Sequence, residues 1–238
     1  MSEAYLHVAL RTPRGKARPD GGLAGETPHG LVAHLVDAME ARGHDPRGRA
    51  ERMTLGCVGQ VGAQGGHIAL IAKLKAELPD GVAVHSLNNF CASGLSAVGA
   101  AAAAVASGQA QWALGGGVEM LSKVAFMADK ADYYTATDMP PDRRYIQVAL
   151  AADLLAEKEA ITRDELDQVA LVSQARAAAA EDRPALIASR IAVAGLDREE
   201  AVRPITLDRL QSLPPAFPQL AEAYRSLLGG RQIDPADD

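Results

Sequence analysis

Cysteine is scarce in this chain: Cys57 and Cys91 are the two among 238 residues. So few thiols exclude the disulfide framework of a small secreted domain and fit reduced side chains in a cytosol. The two have no C-x-x-C spacing and no histidine pair nearby, so no metal site is assigned. Long apolar runs are missing too. The longest candidate, Leu95 to Ala106, is dominated by alanine and falls well short of the roughly 18 residues that cross a bilayer. The first residues lack the charged, apolar, small-residue progression of a secretory leader. Positive charge is not in excess: 24 Lys and Arg stand against 30 Asp and Glu, for a net charge of −6. The cations are scattered, which argues against a nucleic-acid footprint and against a basic face for a membrane surface. The expectation is a cytoplasmic chain that binds neither nucleic acid nor membrane.

What is present is a large apolar fraction, 48%, enough for a substantial core in one or two domains. Alternating segments dominate the first half. Tyr5 to Leu10 reads as a buried strand and Arg11 to Gly25 as a Gly/Pro-rich loop. Thr27-Pro28 opens a helix that carries Leu31, Leu35, Val36 and Met39 on one face and ends at Gly43. Met53–Val61, Val82–Leu87 and Trp112–Gly116 read as strands, with Ile68–Leu78 and Ala92–Ser107 as helices between them. Strand and helix in alternation predict a parallel α/β layer. From Ser122 the pattern changes. Asp129–Tyr145 reads as an irregular surface loop, and Ile146–Lys158, Asp164–Glu181, Ala185–Leu196 and Leu220–Leu228 as helices. Two domains are therefore expected, 1–122 and 123–238.

The helix over Leu95 to Val105 has almost no polar face, which predicts that it is surrounded rather than half-exposed. A plainer reading is that alanine simply favours helix.

The passage Asn88 to Val98 carries the chemistry. An apolar strand ends, Cys91 follows at a turn, and a helix begins. In α/β sheets ligand chemistry gathers at the carboxyl ends of strands. Free backbone N–H groups and the dipole at a helix N-terminus favour a thiolate, and Ala92, Ser93 and Gly94 let a ligand come close to the sulfur. On this pattern alone Cys91 is either a nucleophile at a strand-to-helix turn or a buried, inert hydrophobe.

Six segments follow in order along the chain: Arg11-Thr12-Pro13-Arg14-Gly15-Lys16; Gly56 to Gly62 with Gly59-Gln60-Val61; Asn89 with Cys91-Ala92-Ser93-Gly94; and Gly116-Gly117-Val118-Glu119-Met120-Leu121-Ser122. The last two are Ile161 to Glu165 with Asp167, Ala170 and Ser173-Gln174, and Thr206-Leu207-Asp208 with Leu213 to Phe217. Together they resemble the thiolases, which make and break carbon–carbon bonds in 3-oxoacyl-CoA thioesters, with Leu121 where Met is usual. The resemblance implies an α/β fold: one thiolase-like α/β/α half of a five-layered αβαβα sandwich, plus a helical loop domain that covers the coenzyme A site. It implies Cys91 as nucleophile, forming an acyl-enzyme with its own N–H in an oxyanion hole. Coenzyme A thioesters are then substrates, and no cofactor is required. Phe217 matches a position lining the coenzyme A site, and Arg203 and Arg209 are candidates for its phosphates.

Departures from the family pattern matter equally. Gln147 and Val148 stand where His and Met usually flank the acyl group, so a differently shaped acyl pocket is expected. His67 stands where many thiolases have Asn, and Leu70 where they have Arg, which puts the usual oligomer contacts in question. Glu119 is expected to anchor a turn and Cys57 to be a core residue. His85 lies six residues before Cys91, roughly 20 Å along an extended strand, and is not assigned as base; His29 and His34 do not share a helix face. The Asn-Glu-Ala-Phe, Gly-His-Pro and Cys-x-Gly-x-Gly motifs are absent. The expected function is the catalytic subunit of a heteromeric thiolase, with a second chain carrying the C-terminal half in a heterotetramer. The alternatives are a non-catalytic thiolase-like scaffold, a fragment of an ordinary thiolase, and a ketoacyl synthase-like condensing enzyme.

Overall fold

A computed structural model describes residues 3–225 of the chain. They fall into two compact units. The first runs to Asp129 and takes in Arg183–Ala201; the second holds Lys130–Asp182 and the chain from Val202 on.

In the first unit, α1 (Pro28–Ala41) starts where the Thr27 hydroxyl accepts the Gly30 N–H at 3.1 Å, with Pro28 in the first turn. A short α2 (Pro46–Arg49) follows, then β1 (Arg52–Gly56), α3 (Ile68–Lys75), β2 (Ala83–Leu87), α4 (Ser93–Ala106) and β3 (Ala113–Gly117). The three strands form a parallel sheet in the order β2-β1-β3. The central strand β1 is buried on both faces at Met53, Thr54 and Leu55, and the main core joins Met53 and Leu55 to Val32 and Val36 of α1 and Ala69 and Ala72 of α3.

Several boundaries differ from expectation, each for a local reason. The helix α3 stops at Lys75 because Glu77 adopts a positive φ of 55°. The Glu77 N–H then bonds the Leu74 carbonyl at 3.2 Å and the Leu78 N–H bonds that of Lys73 at 3.1 Å, the Schellman arrangement. The strand expected over Met53–Val61 ends at Gly56, where the Val58 and Gly59 N–H groups turn to the Glu119 carboxylate. Tyr5 to Leu10 is not a paired strand. Its backbone makes no hydrogen bond among the described residues, and Tyr5 is 81% exposed; pairing starts only at Arg11, which donates to Ser189 at 2.8 Å and accepts from Ile191 at 3.0 Å. Ala185–Leu196 is not one helix either. Only α7 (Pro184–Ile187) is helical. Ala194 and Gly195 then take successive positive φ values of 52° and 79°, closing a tight hairpin in which Val193 and Leu196 exchange N–H···O bonds.

A buried carboxylate ties that segment down. Glu199 accepts from the Arg14 N–H at 2.9 Å and pairs with Arg11 at 2.5 Å, Arg14 at 3.2 Å and Arg190 at 3.5 Å.

In the second unit, α5 (Val148–Lys158) and α6 (Arg163–Glu181) are joined by α8 (Leu207–Gln211) and α9 (Pro218–Arg225). The expected start of α6 is present in full: Thr162 and Glu165 form a reciprocal capping box. Of the helix expected over Leu220–Leu228, the part after Arg225 lies outside the described residues. The loop between Asp129 and Tyr145 is irregular, with two short 3-10 turns. Tyr134 and Tyr145 pack at 4.8 Å between ring centroids, and Arg144 donates to the Met139 and Thr137 carbonyls, each at 2.8 Å.

Candidate active site

Cys91 sits at the apex of a turn between the end of β2 and the start of α4, and its side chain is exposed. The turn is held by its own side chains. Asn88 Oδ1 accepts the Phe90 N–H at 2.8 Å, which fixes Phe90 at a positive φ of 46°. Such a conformation is costly for a bulky residue and persists only when its surroundings over-determine it. Ser93, buried, supplies the rest: its hydroxyl accepts the Asn89 N–H at 2.8 Å and donates to the Phe90 carbonyl at 2.6 Å. Asn89 Nδ2 reaches on to Ser96 Oγ at 2.8 Å. The Cys91 N–H has no acceptor among the described residues, which leaves it available to an oxyanion beside its own sulfur.

Three glycines bring this turn down onto the sheet. A Cβ on Gly56, the last residue of β1, would fall inside the backbone of Ser93. One on Gly117 would lie 2.9 Å from the Gly56 carbonyl oxygen and 3.1 Å from Gly94 Cα, and one on Gly115 would lie 2.8 Å from Val98 Cα. The first turns of α4 therefore rest directly on strand backbone. Reading the sequence by motif missed this role. The signal was there: Gly115-Gly116-Gly117 in a strand context, where glycine marks close backbone approach.

The long face of α4 divides in two. Ser93, Ala97, Ala101 and Ala104 are buried, while the opposite side, with Leu95 at 76% exposure, Val98, Gly99, Ala102 and Ala103, is open among the described residues. The expectation of a helix covered all round is thus met on one side only.

Cys57 has the opposite environment. It is 1% exposed, and burial first, then the Glu119 charge, push its thiol up to about 12. Glu119 accepts from Val58 at 2.7 Å, Gly59 at 3.2 Å and Gln64 Nε2 at 2.6 Å, while Gln64 Oε1 takes the Met120 N–H at 2.6 Å. The carboxylate organises the two turns that flank the end of β1.

No histidine makes a hydrogen bond to Cys91 among the described residues. His67 caps α3 by accepting the Leu70 N–H at 3.1 Å and stands 3.3 Å from Ser86 Oγ. His85 is exposed on the edge strand β2. No group of three or more His, Cys, Asp or Glu among the described residues is placed to hold a metal ion. No helix there is long and apolar enough to cross a membrane.

The other candidate residues lie in the second unit. Gln147 is the N-cap of α5 and Val148, 72% exposed, its first residue. Phe217, 43% exposed, immediately precedes α9, and its carbonyl accepts the Ala221 N–H at 2.9 Å. Leu150 and Ala221 share a buried cluster with Tyr145, Ile146, Leu154 and Leu220. Packing thus joins the start of α5, which carries Val148, to α9, which Phe217 immediately precedes. Arg209 lies exposed on α8, and Arg203 is exposed with its backbone N–H on Gln174 at 3.0 Å.

Comparison with known proteins agrees with this geometry. Residues 5–220 match the model of the thiolase N-terminal domain. The chain is 31% identical over 241 residues to the beta-ketoadipyl-CoA thiolase of Pseudomonas putida, covering 90% of this chain and 60% of that protein. It is 34% identical to the enzyme of the same name in Pseudomonas knackmussii, covering 90% and 59%. It is 32% identical to the 3-ketoacyl-CoA thiolase of Erwinia tasmaniensis, covering 91% and 58%. The chain thus spans about 60% of the length of the curated relatives it matches. With the strand–cysteine–helix turn, the glycine-backed sheet and a family match over most of its length, this α/β chain belongs to the thiolase family as an N-terminal domain.

Proposed function

We infer that the chain is the nucleophile-bearing subunit of a heteromeric thiolase, an acyltransferase acting on 3-oxoacyl-CoA thioesters in the cytoplasm. The observation that carries this reading is Cys91, exposed on a turn locked by Asn88 and Ser93 with its own N–H unpaired. In the proposed reaction the Cys91 thiolate attacks a carbonyl carbon, and the negative charge moves to the carbonyl oxygen, facing the Cys91 N–H. In cleavage, collapse of that intermediate breaks the carbon–carbon bond and releases acetyl-CoA as its enolate, which takes up the proton lost from the thiol. In condensation it breaks the thioester and releases the coenzyme A thiolate. Either way an acyl-cysteine remains. A second nucleophile, the coenzyme A thiolate in cleavage or an acetyl-CoA carbanion in condensation, then takes the acyl group and returns the thiolate.

A positioned base is needed to take the thiol proton at neutral pH. We assign that base, and the second catalytic cysteine, to a partner chain carrying the remaining part of the family's length. The open apolar face of α4 and the exposed edge strand β2 support association with other chains, as two copies of each chain in a heterotetramer. Within this chain, residues 1–122 are the nucleophile-bearing core and 123–238 the helical region that holds coenzyme A, with Arg183–Ala201 tied to the first unit. Phe217 meets coenzyme A, Arg203 and Arg209 its phosphates, and Gln147 and Val148 the acyl group. The relatives named for beta-ketoadipyl-CoA support a carboxylated 3-oxoacyl group over acetoacetyl-CoA.

The test is co-expression with a candidate partner that carries Gly-His-Pro and Cys-x-Gly-x-Gly, followed by kcat/KM across a panel of 3-oxoacyl-CoA substrates. Thiolysis that needs both chains and vanishes in Cys91→Ser is the expected result. Assembly without turnover on any substrate would favour a non-catalytic scaffold, and acetoacetyl-CoA preferred by tenfold or more would overturn the assignment of Gln147 and Val148.

A further inference from the structure

The three strands of the first unit end in register, with Gly56 beside both Leu87 and Gly117. The residues just past those ends meet at the carboxyl edge of the sheet. Glu119, shortly after β3, takes the Val58 N–H on Oε2 at 2.7 Å. Its Oε1 takes the Gly59 N–H at 3.2 Å and Gln64 Nε2 at 2.6 Å. Gly59 leaves room for this, since a Cβ there would lie 3.1 Å from Glu119 Oε1 and 3.2 Å from Gln64 Nε2. The Val58 carbonyl serves the other neighbour, β2. It accepts Asn88 Nδ2 at 3.3 Å, while the Cys57 N–H donates to the Leu87 carbonyl at 3.0 Å. Asn88 Oδ1 in turn holds the Phe90 N–H at 2.8 Å, one residue before Cys91.

We propose that Glu119 is a positioning residue for the Cys91 N–H, acting through Val58 and Asn88 to fix where that group meets an oxyanion. The proposal rests on the reading of Cys91 as the nucleophile. An oxyanion donor is effective only when it is held in place before the charge develops. The turn has a reason to relax, because Phe90 keeps a positive φ of 46° that is unfavourable for a bulky residue. Asn88 opposes relaxation from inside the turn, and Val58, gripped by Glu119, ties Asn88 to the neighbouring strand end.

A carboxylate suits this task. Its bonds to N–H groups are charge-assisted and stronger than neutral ones, and both oxygens are occupied. A glutamine side chain offers one acceptor oxygen. Glu119→Gln therefore keeps the size of the side chain but must give up either Val58 or the pair Gly59 and Gln64.

The full chain is acetylated with p-nitrophenyl acetate and, in a separate sample, alkylated with iodoacetamide. Each rate is read on the Cys91 peptide by mass. In the first reaction the thiolate adds to the ester carbonyl, an oxyanion forms, and nitrophenolate leaves. In the second the thiolate displaces iodide from carbon and no oxyanion forms. Both consume the thiolate, so the ratio of the two rates cancels any change in its fraction. The wild-type ratio is expected to exceed that of a free peptide of residues 88–94. It should fall by about tenfold or more in Glu119→Gln. Asn88→Asp, which keeps an acceptor for Phe90 but loses the donor to Val58, should show the same fall. Glu51→Gln, at the opposite end of β1, should keep the wild-type ratio. Circular dichroism identifies the variants that fold. A wild-type ratio no higher than that of the peptide, or a ratio unchanged in either folded variant, would overturn the positioning role. Absence of turnover with a partner chain would instead count against the thiolase reading and leave this ratio as it is.

Discussion

Cys57 and Cys91 share one small unit yet have opposite surroundings. Cys57 follows a central strand, is closed off from water, and lies beside a carboxylate that adds to the cost of ionising it. Cys91 follows an edge strand and stands outside the core on a turn built from Asn88, Phe90 and Ser93. The difference lies in the backbone, not the residue type. At Cys57 the chain turns inward around Glu119 and Gln64. At Cys91 the turn stands exposed, while the glycines of β1 and β3 let α4 rest directly on the strand backbone.

The hardest blow to this contrast is Gly56→Ala. The new methyl group would occupy the backbone of Ser93, so either the helix lifts from the sheet or the strand shifts. A loss of about 3 kcal/mol or more is expected, read as a lower Tm together with lost selectivity for alkylating Cys91. A variant of wild-type stability would show that the close approach is not needed.

Ser93→Ala keeps the packing but unlocks the turn. It leaves the Asn89 N–H and the Phe90 carbonyl short of their side-chain partner, a cost of about 1–3 kcal/mol in urea unfolding. Cys91 should become less selective towards coenzyme A thioesters while Cys57 stays unreactive. Should stability fall and selectivity persist, the lock would be structural alone.

The two cysteines also show how much could be read beforehand. The strand–Cys91–helix order was legible because an apolar segment, a short turn with the cysteine and an alanine-rich helix follow one another. The core position of Cys57 was legible from its place beside β1. The turn-anchoring role of Glu119 was legible as well, and its hydrogen bonds from Val58 and Gly59 match it; its partner Gln64 was not. Glu119 and Gln64 are 55 residues apart, and nothing local in either segment announces the pair. Tyr5 to Leu10 misled for a different reason: its residues suit a strand, but pairing depends on a neighbour that the segment itself does not encode. Ala185–Leu196 misled because Ala194, unlike Gly195, does not advertise a positive φ.

Acid should loosen the first unit through Glu199. Burial raises its pKa, but the Arg14 N–H and the Arg11 and Arg14 guanidinium groups outweigh burial and hold the carboxyl near 2. The folded value lies below the ordinary 4.5 of the unfolded chain. Its stabilisation is therefore complete above about pH 4.5 and lost as the pH falls towards 2. Hydrogen exchange across residues 189–191 should rise in that window for the wild type, and should already be raised at pH 7 in Glu199→Gln. Equal exchange in both proteins at pH 7 would contradict the role given to Glu199.

The smallest effect on the chain itself is expected from Leu95→Glu, on the open face of α4. Stability of the isolated chain should change by no more than about 0.5 kcal/mol, as for an exposed position, while co-purification with the partner chain is lost. A variant that still assembles would move the interface elsewhere.

The central claim is that Cys91, and not Cys57, carries the acyl group. The assembled complex is incubated with a 3-oxoacyl-CoA, quenched in acid, and mapped by peptide mass. The account predicts one acyl group on the Cys91 peptide, none on the Cys57 peptide, and none on this chain in Cys91→Ser. Acyl mass retained in Cys91→Ser, or found on Cys57, would contradict it.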